Sequence, residues 1–167
     1  MHFVLFYLST EILNVSRNEI DGDTFPNRFQ STALKTLDLS FNNLNTTFNI
    51  SSLTGLVNIQ NIHMASCSVR SSLPDDISVL QSLVTFDFNN NLFLSGTIPS
   101  SFGEIASLEK LLLASNELTG TIPSELARLE NLTILELQSN SLSGTIPAEF
   151  EKLTDLTFNY SGNSISD

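Results

Sequence analysis

Pairs of apolar residues separated by one residue recur along the chain at a nearly constant interval. The phrase Leu111-Leu-Leu113-Ala-Ser-Asn116-Glu-Leu118 returns 24 residues later as Leu135-Glu-Leu137-Gln-Ser-Asn140-Ser-Leu142. An apolar residue at every second position predicts a short β-strand that buries one face and exposes the other. A strand this short is not stable alone, so the repetition predicts a stack of parallel strands over a continuous apolar core.

Other copies of this pattern are less regular but keep the spacing. They begin at Leu13, Leu37, Ile62, Phe86 and Phe158. The copy at Phe86 has one inserted residue before Ser95-Gly96, and the last copy is one residue short before its strand. The pattern therefore predicts one domain over residues 1–167 with about seven repeats, of which the first and last are partial. Their approximate bounds are 1–31, 32–55, 56–79, 80–104, 105–128, 129–152 and 153–167.

A polar residue, usually asparagine, follows each predicted strand. Its amide can donate and accept hydrogen bonds, and so can satisfy backbone groups that the bend leaves unpaired. The resulting structural ladder is predicted at Asn18, Asn42, Cys67, Asn91, Asn116, Asn140 and Asn163. Cys67 is the single cysteine, which excludes an intrachain disulfide, and it is expected to be a buried, unreactive side chain.

The second half of each repeat carries turn and helix signals. Gly120 and Gly144 predict a tight turn. Pro99, Pro123 and Pro147 predict a fixed backbone where the chain returns along the back of the stack. Segment 124–129, Ser-Glu-Leu-Ala-Arg-Leu, predicts a short helical turn whose apolar residues fill the core. Because the returning segments are bulkier than the strands, the stack should curve with its sheet on the concave face.

The segments Leu118-Thr-Gly-Thr-Ile-Pro123 and Leu142-Ser-Gly-Thr-Ile-Pro147 resemble the plant-specific class of leucine-rich repeats. The resemblance covers roughly residues 8–167. It implies an α/β solenoid, a curved right-handed stack with a parallel β-sheet on the concave face and short helical or 3-10 segments on the convex side. Similar repeats form the ectodomains of plant receptor-like kinases and receptor-like proteins, and occur in algal and diatom surface proteins. The resemblance therefore implies recognition of a protein or peptide at the cell surface or outside the cell.

Two features depart from that family pattern. Such ectodomains usually open with a cap that carries a cysteine pair and a tryptophan, whereas this chain has one Cys and no Trp. It also ends within a repeat, so it is expected to be a fragment of a longer protein or to have its ends covered. The apolar run at 3–8 is far short of the ~20 residues of a membrane helix. It also lacks a preceding basic residue and a cleavage site, so we interpret it as the start of the first repeat and not as a signal peptide.

The charge balance restricts the partners. With 18 acidic and 7 basic residues, the formal net charge is -11. This charge disfavours nucleic acids and anionic membranes and attracts basic partners. Zinc-protease, nucleophile-elbow, phosphate-loop and CxxC motifs are absent from the sequence. A non-catalytic binding module without cofactor or metal is therefore expected.

The binding residues are expected on the concave sheet, at positions beside the buried strand residues. Most of these positions are small and polar, and Phe41, Leu112 and Ile134 are the apolar exceptions. The candidate contacts are Asp38, Phe41, His63, Asp87, Asn89, Leu112, Ile134, Glu136 and Gln138.

His63 is the most distinctive of these candidates. Parallel strands lie about 4.8 Å apart, which places His63 between Asp38 and Asp87. Two flanking carboxylates favour the imidazolium, and we interpret the group as a surface ion pair. A pH-sensitive patch or a weak metal site are the alternatives.

Asn-x-Ser/Thr sequons are consistent with secretion without establishing it. They occur at Asn14, Asn45, Asn49, Asn131 and Asn159. The alternatives to a receptor-like module are an intracellular scaffold or inhibitor that uses the same concave face, and a structural spacer without a specific ligand. A signal peptide upstream, or occupied sequons, would separate the first two.

Overall fold

The computed structural model describes residues 9–22, 29, 31–45 and 48–166, so the apolar run at 3–8 lies outside the described residues. Within them, seven short strands form one parallel sheet, ordered along the chain. With strands numbered in chain order, they are β1 (Ile12–Asn14), β2 (Thr36–Asp38), β3 (Asn61–His63), β4 (Thr85–Asp87), β6 (Lys110–Leu112), β8 (Ile134–Glu136) and β10 (Thr157–Asn159). The predicted leucine-rich-repeat solenoid is confirmed.

A second parallel sheet of four strands lies in the described part of the chain, and the sequence analysis did not predict it. Its strands are β5 (Ser95–Thr97), β7 (Glu117–Gly120), β9 (Ser141–Thr145) and β11 (Ser164–Ser166). Gly120 and Gly144 belong to these strands, so their assignment to a tight turn was wrong. Both have positive φ, +80° and +84°. A Cβ at Gly120 would lie 2.9 Å from Cγ2 of Thr97 in the neighbouring repeat, so these glycines allow the close approach of adjacent strands.

The helical segments of the described residues are 3-10 helices. They span Ile50–Gly55, Ile77–Val79, Ser100–Glu104, Ser124–Arg128 and Ala148–Lys152. Pro99, Pro123 and Pro147 immediately precede the last three helices, with φ close to -60°. Proline suits this position because its ring fixes φ and the first N–H groups of a helix need no intrahelical partner.

The core is one continuous column of apolar side chains between the sheets and the helices. The strand residues Leu37, Ile62 and Leu135 are completely buried, as is Phe102 from a 3-10 helix. At the centre of the chain, the rings of Phe86 and Phe88 stack with centroids 4.3 Å apart. Each repeat therefore buries its apolar residues mainly against its neighbours, as in other solenoids.

The asparagine ladder links consecutive repeats. Asn116 donates from Nδ2 to the carbonyls of Leu113 and Phe88, at 2.8 and 3.1 Å, and its Oδ1 accepts from the Asn91 N–H at 3.0 Å. Asn42, Asn91, Asn140 and Asn163 also donate to a carbonyl of their own turn and one of the preceding repeat. In the described part of the chain, Asn18 donates only within its own turn. The ladder thus supplies backbone hydrogen-bond partners where the strands end.

Cys67 takes the ladder position of its repeat and is buried. Its Sγ lies 3.1 Å from the carbonyl oxygen of Leu39, to which it donates. Burial raises the pKa of this thiol to about 11, and the carboxylates of Asp38 and Asp87 act in the same direction. The thiol is therefore protonated at neutral pH, which favours a packing role over a nucleophilic one.

A column of left-handed residues follows the first sheet. Its members have φ between 56° and 72° and are Arg17, Phe41, Ser66, Asn90, Ser115, Ser139 and Gly162. This conformation was not predictable from the sequence, because a glycine takes the position only in the last repeat. The left-handed residue turns the chain away from the sheet just before the ladder position.

Candidate binding surface

The strand register aligns the predicted surface positions into columns. Asp38 is opposite His63, His63 is opposite Asp87, and Asp87 is opposite Leu112. The same column continues from Leu112 to Glu136. A second column on the same face joins Lys110, Ile134 and Thr157 at the starts of their strands. Every second strand position therefore points to the same face of the sheet, and the side chains at equivalent positions form a column across the strands.

Four carboxylate or amide side chains in the first column also terminate their strands. Oδ1 of Asp38 accepts from the Ser40 N–H at 3.0 Å, and Oδ1 of Asp87 accepts from the Asn89 N–H at 3.1 Å. Asn14 and Asn159 form the same bond with Ser16 and Ser161. One oxygen of each of these side chains is hydrogen-bonded to the backbone of the turn, which fixes the orientation of the side chain. The second oxygen of each aspartate has no such bond to the turn.

His63 lies between the two aspartates in the sheet, but its ion-pair contact is one-sided. Nδ1 is 3.9 Å from Oδ2 of Asp87. Within the described residues, Asp38 forms no ion pair with it. The described chain also holds no group of three or more His, Cys, Asp or Glu side chains that could bind a metal ion. The structure thus gives no support to a metal site at His63.

A polar bridge crosses the centre of the concave face. Asn89 Nδ2 donates to Oε2 of Glu136 at 2.8 Å, and Asn89 Oδ1 accepts from the Ala114 N–H at 2.6 Å. Oε1 of Gln138 is buried and has no hydrogen-bond partner among the residues that the structure describes. The bridge, Leu112 and Gln138 together form a compact patch with an apolar side chain among oriented polar groups. The sequence indicated these residues separately, but not the hydrogen bonds that join them.

Two other candidates lie at the margins of this face. Ile134 begins β8 and is half-buried. Phe41 is in the left-handed column after β2, and the Arg17 guanidinium stacks over its ring with Cζ 4.3 Å from the centroid. Phe41 therefore belongs to the edge of the sheet and not to its floor.

The sequons lie on different surfaces. Asn14 and Asn159 are on the concave face at the two ends of the described sheet. Asn49 caps the 3-10 helix Ile50–Gly55 through its Oδ1, which accepts from the Ser51 N–H. Nδ2 of Asn131, the atom a glycan would modify, donates to the Ala106 carbonyl at 2.9 Å. Asn45 has positive φ, and the rest of its sequon falls outside the described residues.

The sequence matches a known family along most of this stack. The Leucine Rich Repeat family model matches residues 33–56, 82–105, 107–129 and 131–153, which is more than half of the chain. The chain belongs to the leucine-rich repeat family. No match was found among curated proteins.

Solved structures similar to this repeat protein are plant receptor ectodomains. The complex of the Arabidopsis receptor kinase HAESA with the peptide hormone IDA and the co-receptor SERK1 has a TM-score of 0.77 and 29% identity, and the match covers 91% of this chain and 25% of that one. The BIR3–SERK2 complex from Arabidopsis thaliana has a TM-score of 0.61 and 37% identity over 71% of this chain and 63% of that one. The Arabidopsis thaliana ectodomain of GASSHO1/SCHENGEN3, in complex with CASPARIAN STRIP INTEGRITY FACTOR 2, has a TM-score of 0.73 and 27% identity over 91% of this chain and 21% of that one.

The repeat protein spans less than two thirds of each of these ectodomain structures. Its fold is typical of protein- and peptide-binding receptor modules. Among the described residues, no helix has the length and apolar character needed to cross a membrane.

Proposed function

We propose that the concave sheet is a non-catalytic binding surface for an extended peptide or a protein loop. The observation that carries this proposal is the alignment of Leu112, Ala114, Glu136 and Gln138 around the Asn89 bridge. These groups are held by strand register and hydrogen bonds before any ligand arrives. Preorganisation of this kind lowers the entropic cost of binding.

The charges on this face favour a basic ligand. Asp38, Asp87 and Glu136 lie in one column, and His63 and Lys110 are the basic residues beside them. The formal net charge of -11 adds a long-range attraction for cations. The apolar side chain of Leu112 offers one central contact for an apolar ligand residue.

Receptor-like location is part of the same proposal. Similar structures include receptor ectodomains in complex with peptides, such as HAESA with IDA and PEPR1 with AtPEP1. We place this module at the cell surface or outside the cell by that likeness. Glycans at Asn14 or Asn159 would project from the two ends of the concave face, whereas a glycan at Asn49 would leave it open.

Selection from a random peptide library displayed on phage, with the immobilised chain as target, tests the proposal. The enriched peptides should be basic. Leu112→Arg should lower their affinity for the chain by at least about tenfold, because it adds a cation at the centre of the contact. Val79→Arg is the matched control, since Val79 is exposed on the 3-10 helix Ile77–Val79. Equal affinities for the two variants would contradict a concave site.

A further inference from the structure

The edge of the solenoid that follows strands β1 to β4 carries exposed aromatic rings, each covered by an arginine. We call this surface the aromatic edge, and it consists of Arg17, Phe41, Arg70, Leu92 and Phe93. The concave-face proposal does not use it. Its composition contrasts with the acidic character of the rest of the chain.

The first half of the aromatic edge is built by the left-handed turn after each strand. The Phe41 N–H donates to the Ala65 carbonyl at 2.9 Å, and the Arg17 N–H donates to the Ser40 carbonyl at 2.8 Å. These bonds align Arg17 and Phe41 in one column, with the guanidinium stacked on the ring. Phe41 is still 48% exposed, so the arginine does not bury it.

The second half arises from the residue inserted in the fourth repeat. In the next repeat, Asn116 is followed by Glu117 and the buried Leu118, whereas Asn91 is followed by two residues before the buried Leu94. The Leu94 N–H donates to the Asn91 carbonyl at 2.8 Å and closes a turn over the insertion. The insertion therefore adds a residue to this turn, which projects two apolar side chains.

Leu92 and Phe93 are the side chains that the turn projects. They are 64% and 40% exposed. The Arg70 guanidinium lies over the Phe93 ring, with Cζ 4.0 Å from the centroid. At this turn the fourth repeat therefore lacks the polar side chain that the next repeat has at Glu117. It carries exposed apolar side chains instead, with an arginine guanidinium beside them.

Arg17 and Arg70 are exposed residues, so an anionic partner can reach their guanidiniums. The ion pairs within the described residues are Lys35–Glu11 and His63–Asp87, and neither involves Arg17 or Arg70. A guanidinium stacked on a ring keeps its N–H groups directed outward in its own plane, where they can bind a carboxylate through two hydrogen bonds. Stacking also holds the side chain in place, which lowers the entropic cost of that contact.

We propose that the aromatic edge binds a partner segment in which acidic residues alternate with apolar ones. Carboxylates would pair with Arg17 and Arg70, and apolar side chains would pack on Phe41, Leu92 and Phe93. Charge complementarity selects this occupant, because Arg17 and Arg70 each lie over an exposed ring and neither takes part in an ion pair within the described residues. The aromatic edge is separate from the concave face. Its proposed ligand is acidic, whereas the ligand proposed for the concave face is basic.

A labelled peptide of sequence Glu-Leu-Glu-Phe-Glu-Leu-Glu is the probe, with Gln-Leu-Gln-Phe-Gln-Leu-Gln for comparison. Fluorescence anisotropy should show binding of the first peptide, weakening at high salt, and at least tenfold weaker binding of the second. The Arg17→Gln/Arg70→Gln variant should lower the affinity for the acidic peptide at least tenfold. Arg128→Gln, on the 3-10 helix Ser124–Arg128, is the matched control and should have no effect. Circular dichroism establishes that each variant is folded.

The proposal would be overturned by absence of measurable binding, by equal affinity of the double variant and the wild type, or by equal weakening by Arg128→Gln. Phe93→Ser should also weaken binding, which separates a specific surface from general attraction. Leu112→Arg should leave this peptide's affinity unchanged, so failure of the concave site and failure of the aromatic edge are distinguishable. If sedimentation shows self-association that the double variant abolishes, the occupant is a second copy and the proposed partner is wrong.

Discussion

At the scale of single residues, the asparagine ladder shows how much one side chain contributes to the connection between repeats. Asn91 donates to three carbonyls and accepts from the N–H groups of Cys67 and Val69. Cys67 has a weaker donor, and its Sγ contacts the Leu39 and Ala65 carbonyls. The third repeat therefore has the weakest link of the ladder in the described chain.

Replacement of Cys67 by asparagine should stabilise the protein. The amide would restore a strong donor to the Leu39 carbonyl and an acceptor for the backbone N–H of Asn42, which faces the sulfur. One or two added hydrogen bonds predict a gain of about 1 kcal/mol in the free energy of unfolding. Urea denaturation of Cys67→Asn measures this gain, with Cys67→Ala as the control that is expected to lose stability. A Cys67→Asn variant no more stable than Cys67→Ala would contradict this role of the ladder.

The candidate site was predictable at this scale only in part. The period of the repeat placed Asp38, His63 and Asp87 in one column, because register depends on the position of each residue within its repeat. The bond between Asn89 and Glu136 was not predictable, since it joins residues 47 apart across an intervening strand. The stacking of Arg17 on Phe41 was not predictable either, because it depends on the left-handed backbone at both positions.

At the scale of elements, the second sheet is the main feature that the sequence analysis missed. The segment Glu117-Leu118-Thr119 alternates polar and apolar residues, and this is the signal that could have revealed β7. The following Gly120 suggested a turn instead, because glycine usually ends a strand. Gly120 is the last residue of β7, and its positive φ and close packing against the neighbouring repeat favour glycine there.

Gly120→Ala should destabilise the protein by about 1–2 kcal/mol, because an L residue is strained at positive φ. Its Cβ would also lie 2.9 Å from Thr97 Cγ2. Thr97→Ser removes that methyl group, so the double variant should recover part of the loss and retain the backbone strain. Thermal unfolding of the two single variants and the double variant measures both contributions. Full stability of Gly120→Ala would contradict the packing described for the second sheet.

At the scale of the whole molecule, the concave face and the aromatic edge of the solenoid differ in charge and in shape. The concave face carries the acidic column and a central apolar side chain, and the aromatic edge carries two stacked arginines. The fold followed from the sequence because each repeat mainly contacts its neighbours, so local pattern determines global architecture. Ligand identity did not follow, since it depends on a few side chains that vary within a constant fold.

Residue-level mapping of a selected basic peptide on the isotopically labelled chain by NMR is the most direct test of concave-face binding. The account predicts that the largest chemical-shift changes are at the backbone amides of Leu112, Ala114 and Gln138. The 3-10 helix Ser124–Arg128 on the opposite side should change little. Shift changes concentrated on the 3-10 helices, with the amides of the sheet unaffected, would contradict the account.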